Sequence, residues 1–168
     1  MSKVITFSRY FPAHFKKRKP TWFVEKLHRS FDESIPSYHP VSDALQPFFD
    51  EDEYVMGQPK HHTVRGGTRF TVGDMFSPRI WSELPYRAPK IDIEQQIEVK
   101  YAPSIRIHRR AITDYQVYVN GHSLDAETIA TLSTNDGLNY HHFLNWFNLK
   151  VGEDFSGQII CWNDRIKY

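Results

Sequence analysis

Runs that alternate apolar and polar residues fill much of the second half of this chain, and they predict strands. Ile105 and Ile107 alternate with Arg106 and His108, while Ile91, Ile93, Ile97 and Val99 keep one parity across residues 91–101. Side chains two apart on an extended backbone share a face, so each run predicts a strand with one buried side. Val4-Ile5-Thr6-Phe7 predicts a first strand and Gln158 to Trp162 a last one, both rich in β-formers. Tyr115 to Val119 runs into Asn120-Gly121, a pair that tolerates positive φ and so predicts a hairpin. A further strand is expected at Thr63-Val64-Arg65, leading through Gly66-Gly67 to Arg69-Phe70-Thr71. Val72-Gly73-Asp74 reads as a turn, and Met75-Phe76-Ser77 as a strand ended near Pro78.

Helical periodicity is rarer. Phe23, Leu27 and Phe31 recur every four residues after Thr21, whose hydroxyl suits an N-cap. Ala126 to Leu132 predicts a short helix capped by Asp125 or Ser123. Asn139 to Leu149 predicts another, burying Phe143, Trp146 and Phe147. Residues 32–58 hold Pro36, Pro40, Pro47 and the acidic run Asp50-Glu51-Asp52-Glu53, and they read as a long connection or insertion. No internal repeat is present. The pattern as a whole predicts an α+β chain in which strands dominate.

Composition narrows the class. The 168 residues are 40% hydrophobic and 15% aromatic, enough to bury a core as one domain spanning 1–168. The single cysteine, Cys161, excludes an intramolecular disulfide and fits a reducing, cytoplasmic setting. No segment has the length and apolarity of a membrane span or an export signal.

The net charge of +1 conceals segregation. Residues 1–31 carry eight basic and one acidic side chain, and residues 32–53 seven acidic and no basic ones. Residues 54–110 carry ten basic and five acidic, and residues 111–168 three basic and seven acidic. Two basic stretches could therefore face a polyanion. Lys16, Lys17, Arg18, Lys19, Arg65, Arg69, Arg79 and Arg87 alternate with Tyr10, Phe70, Trp81 and Tyr86, a mixture suited to phosphates and splayed bases. The acidic run could instead fold over such a surface or meet a protein partner. Metal binding is not expected. His61-His62 and His141-His142 are adjacent pairs, whose side chains diverge on a strand or a helix, and no cysteine cluster accompanies them.

Three pieces in order carry a resemblance: Ile5-Thr6-Phe7, then Lys60-x-x-Thr63-x-Arg65 with Phe70-x-x-Gly73-Asp74, then the last strand around Ile159 and Ile160. Together they resemble ASCH-domain proteins of the PUA-like superfamily. Among these, the small bacterial N4-acetylcytidine amidohydrolases share the Lys, Thr and Arg block ahead of a Gly-Asp turn. The chain is also similar to ASCH-like proteins of bacteria and phages whose activity is not settled. The resemblance implies a mixed β-barrel with a few short packing helices, and a cleft that binds RNA or a modified nucleoside without a cofactor. In the amidohydrolases a Thr, a Lys and a Glu share catalysis. Carried over, Thr63 is the nucleophile, Lys60 the base that takes its proton, and Asp136 the acid that protonates the leaving amine.

Two departures stand out. Asp136 is one methylene shorter than the family's Glu, and about fifty residues separate the first strand from Lys60. The resulting expectation is a binding module centred on Lys60, Thr63 and Arg65, with His62, Arg69, Phe70 and Trp81 around the ligand. The alternatives are an amidohydrolase of N4-acylated cytidine and a phage or host interaction module.

Overall fold

A computed structural model of the chain describes residues 3–16, 19–31, 58–83 and 85–168. The expected connection at 32–58 lies outside these residues up to position 57, and so does the acidic run; Lys17 and Arg18 lie outside them as well. Along the described chain run β1 (Lys3–Thr6), α1 (Phe23–Phe31), β2 (His62–Gly66), β3 (Met75–Trp81), β4 (Lys90–Asp92) and β5 (Ile97–Glu98). There follow β6 (Ser104–Arg109), β7 (Tyr115–Val119), β8 (His122–Ser123), α2 (Ala126–Asn135), α3 (Tyr140–Trp146) and β9 (Asp154–Cys161). The class is α+β, mostly antiparallel. The chain divides into two compact units, Met1–Lys60 with Met75–Glu98, and His61–Asp74 with Val99–Tyr168. Each unit has its own sheet, and among the described residues neither sheet closes into a barrel.

In the first unit β3 is central, with β1 parallel on one side and β4 and β5 antiparallel on the other. The strand does not end near Pro78 but runs through it. Its partners explain why: β5 pairs with Met75 and Phe76, and β4 with Arg79 to Trp81, leaving Pro78 at the gap where its missing N–H breaks no ladder. The single strand expected over 91–101 is likewise split into β4 and β5, although Ile93, Ile97 and Val99 are buried as their parity requires. In α1, Thr21 accepts the Phe23 N–H and donates to the Ser8 carbonyl at 2.6 Å, so it sits one position before the cap. Trp22, whose carbonyl takes the first helical bond from Lys26, is the N-cap itself. Phe23 and Leu27 are buried, but Phe31 at the helix end is 49% exposed, and the buried stripe closes on His28 instead.

In the second unit the strand order is β2-β9-β6-β7-β8, antiparallel throughout. The register sets two faces. Ile159, Ile105, Ile107, Val117 and Val119 share a buried face that the half-buried Val64 continues, and there Phe147 beyond α3 meets Phe155 of β9 at 4.4 Å between ring centroids. Ile129, Leu132, Phe143 and Leu144 from α2 and α3 are buried too. The other face carries Thr63, Arg65, Gln158, Ser156, Arg106 and Tyr118. Gly157 permits the close approach of β9 to β2, since a Cβ there would lie 2.1 Å from the Arg65 carbonyl oxygen. The strand expected at Arg69-Phe70-Thr71 is a loop, because the Gln158 side chain satisfies both backbone groups of Phe70 at 2.7 and 2.8 Å in place of a neighbouring strand. The turn after it is as expected, with Thr71 N–H donating to Asp74 at 2.6 Å. The hairpin at Asn120-Gly121 also forms, with φ of 49° and 81°.

Candidate functional site

β2 is the edge strand of the second unit, and the alternation of its side chains organises the candidate site. Thr63 and Arg65 share one face and His62 takes the other, as spacing along a strand demands. His62 is fully buried and Thr63 nearly so, while Arg65 is half-buried. The strand's entry is tied to the end of α2: the His61 N–H donates to the Asn135 carbonyl at 2.8 Å, and the His61 carbonyl accepts from Trp162.

The end of α2 is built as a Schellman motif. Gly137, at φ 78°, donates to Thr134, and Leu138 donates to Ser133, which pairs two of the helix's last carbonyls. Asp136 is the C-cap of that motif and is buried. A carboxylate there faces the negative pole of the helix, where an anion is disfavoured. Two basic groups offset this. The His62 Nδ1 lies 3.5 Å from Asp136 Oδ1, a long contact for a hydrogen bond, and the charge of Asp136 acts on Arg65. Burial is the larger influence on Arg65 and holds its guanidinium below its ordinary pKa, while Asp136 works in the opposite direction.

Tyr168 completes the cluster. Its hydroxyl lies 2.8 Å from His62 Nε2 and accepts from the Asn135 side-chain amide at 2.8 Å. Since the hydroxyl oxygen already accepts from Asn135, the phenolic proton points to Nε2 when the ring proton of His62 sits on Nδ1, facing Asp136. The rings of His62 and Tyr168 meet edge to face at 5.6 Å. Burial pushes the Tyr168 phenol well above its ordinary pKa, against the pull of the Asn135 hydrogen bond. The result is a chain of carboxylate, imidazole, phenol and amide, flanked on the strand by Thr63 and Arg65. Hydrogen bonds join the imidazole, the phenol and the amide, and the carboxylate stands beside the imidazole at 3.5 Å.

Of the residues expected at the site, His62, Thr63, Arg65 and Asp136 are thus gathered in the second unit. Lys60 belongs to the first unit, in the segment entering β2. It is fully buried rather than a surface cation; its N–H donates to the Lys26 carbonyl, and its ammonium lies 4.2 Å from the Phe23 ring centroid. Arg69 is exposed, with its guanidinium 5.7 Å from the Phe70 ring centroid, and Phe70 is buried with its backbone held by Gln158. Trp81 closes β3 of the first unit, between Tyr86 at 5.4 Å and the Lys90 ammonium at 4.7 Å. Tyr168 and Asn135 were not singled out by the sequence. Tyr168 lies outside every periodic run, and Asn135 falls in a segment legible only as a turn. Among the described residues, no group of three His, Cys, Asp or Glu side chains is placed to hold a metal ion, and no helix is long and apolar enough to cross a membrane.

Compared with known proteins, the chain matches no family model, no curated protein and no solved structure.

Proposed function

We propose that this chain is a ligand-binding module of the ASCH, PUA-like type, recognising RNA or a modified nucleoside through the polar cluster around Arg65. The observation that supports this reading is the position of Asp136. A buried carboxylate at the negative end of a helix costs stability, and here it faces an arginine and a histidine. Costly polar arrangements of this kind concentrate at functional sites. The chemistry suits a cytosine-like edge: a carboxylate accepts from an exocyclic amine, and a guanidinium donates to the adjacent ring nitrogen and carbonyl. The PUA-like kinship implied by the resemblance is part of this proposal; the closed barrel is not, since among the described residues neither sheet closes.

The test is retention of cytidine, N4-acetylcytidine and an unstructured oligoribonucleotide by the full chain in equilibrium dialysis at low salt. Binding that is weakened by Arg65→Gln and by Asp136→Asn supports the reading. Failure of the wild-type chain to retain any of the three sinks it.

A second reading is hydrolysis of an N4-acylated cytidine. Its specific support is the burial of Thr63 and Asp136, which keeps a hydroxyl nucleophile and its acid away from bulk water. Lys60 takes in it the role of base that the resemblance implies. Release of cytidine from N4-acetylcytidine, lost in Thr63→Ala, is its test, and no turnover by the wild type removes it for that substrate.

A further inference from the structure

A concavity opens in the second unit, on the face of the sheet that carries Arg106. It has a volume of about 510 Å³, within the range of small-molecule sites. Arg106 and Tyr118 stand opposite one another on β6 and β7, with the guanidinium carbon 5.1 Å from the ring centroid. Asp154 accepts from Arg106 Nε at 3.1 Å, which among the described residues leaves the two terminal nitrogens unengaged on a side chain that is 56% exposed. Asp154 also reaches His108 at 3.2 Å, so its charge is shared. Thr68 and Ser156 line the same groove, each with a hydroxyl to offer. At Gly67 and Gly121, on the rim, a Cβ would meet nothing within 4 Å, so backbone there is open to close approach.

A guanidinium whose inner nitrogen is anchored and whose outer pair is free is arranged for two-point contact with a tetrahedral anion. Two hydroxyls in the same groove supply further donors to such an anion. An aromatic ring under the guanidinium, in a groove far larger than a phosphate, calls for a planar group attached to it. We propose that this groove is a binding site for a phosphorylated nucleoside, with the phosphate held by Arg106, Ser156 and Thr68 and the base lying on the Arg106–Tyr118 stack. The ligand is either a free mononucleotide or one unit of a single-stranded RNA. The site goes beyond the function proposed above, since it shares no residue with the Arg65 cluster.

The experiment is amide NMR of the full chain titrated separately with cytidine monophosphate, cytidine, inorganic phosphate and a short oligoribonucleotide. The expected result is that the monophosphate shifts Gly67, Thr68, Gly121 and Ser156, and binds more tightly than cytidine or phosphate alone. Arg106→Gln should weaken it roughly tenfold or more, as loss of a charged hydrogen-bonding partner does. Ser156→Tyr, at an exposed position, should block the groove while the rest of the amide spectrum stays folded, and Arg65→Gln should leave the binding unchanged. Tighter binding of the oligoribonucleotide than of the monophosphate identifies an RNA strand as the source, and equal or weaker binding a free nucleotide. The proposal is overturned if no ligand shifts these four amides. It is also overturned if cytidine matches the monophosphate, or if the binding is lost in Arg65→Gln and kept in Arg106→Gln and Ser156→Tyr. Failure of the Arg65 cluster to bind nucleosides leaves these outcomes readable, because the two sites are reported by different amides and different variants.

Discussion

The carboxylate of Asp136 and the imidazole of His62 lie 3.5 Å apart, one at the C-terminal end of α2 and the other on the edge strand β2. Asp136 also acts by charge on Arg65, so polar groups meet between strand and helix in a unit held mostly by apolar contact. Interacting partners of this kind are not additive. Asp136→Asn and Arg65→Gln are each expected to destabilise, and the double variant should be less destabilised than the sum by about 0.5–3 kcal/mol. Urea unfolding of the four proteins of the cycle measures the difference. Strict additivity would show that Asp136 and Arg65 do not act on one another.

The Tyr168 phenol joins His62 and Asn135. Tyr168→Phe keeps the ring and leaves the buried His62 and the half-buried Asn135 without that partner, at a cost of about 1–3 kcal/mol. The pH dependence has a definite sign. Burial raises the pKa of this phenol in the folded chain, so above the ordinary tyrosine value the unfolded chain binds fewer protons than the folded one. Stability should therefore be undiminished at neutral pH and fall as pH rises past about 10. Tyr168→Phe should fall less steeply in that range. An equal decline in both proteins assigns it to other groups.

Cys161 offers a simpler test. Burial pushes its thiol up to about 11, with the Asn163 backbone and the Lys167 charge acting the other way. The thiolate is the reactive form, so the native chain should resist alkylation by iodoacetamide at pH 8 and react promptly in denaturant. Rapid native alkylation would mean that the end of β9 opens readily to solvent.

Much of this architecture was legible in the sequence because it rests on short-range rules. The parity of Ile105 and Ile107, the positive φ tolerated by Asn120-Gly121 and the capping capacity of Asp125 are local properties, and the structure uses all three. What was not legible depends on partners distant along the chain. Nothing local shows that Pro78 falls between two partner strands, or that Gln158 occupies the backbone of Phe70 and keeps it out of a sheet. The same holds for the cluster. Thr63 and Arg65 could be placed on one face, but the role of Asp136 as a helix cap and the arrival of Tyr168 beside His62 come from tertiary packing. Lys60 is fully buried, as a desolvated base requires, but that Phe23 would lie against its ammonium could not be read from its neighbours in sequence.

Gly157 should be intolerant of any side chain. An added Cβ meets the Arg65 carbonyl oxygen at 2.1 Å and its carbon at 2.9 Å, both in backbone that cannot swing aside. Gly157→Ala must push β9 away from β2, which is expected to cost at least about 3 kcal/mol, the upper end for overpacking. Gly67→Ala is the matched control. Its φ of 76° imposes strain of about 1–2 kcal/mol, but the added methyl meets nothing. Thermal unfolding should therefore rank Gly157→Ala well below Gly67→Ala, and the reverse order would contradict the close approach of these strands.

The buried Lys60 separates packing from chemistry. Its four-carbon stem is fully enclosed, so Lys60→Ala removes core volume and is expected to cost about 2–5 kcal/mol. Lys60→Met keeps most of that volume and should be the more stable of the two, as measured by urea unfolding. Methionine cannot accept a proton, however. On the hydrolase reading, Lys60→Met should therefore be folded and unable to release cytidine from N4-acetylcytidine, while nucleoside retention persists. If Lys60→Met is folded and turns over like the wild type, Lys60 is not the base, and its burial over Phe23 is a matter of packing alone.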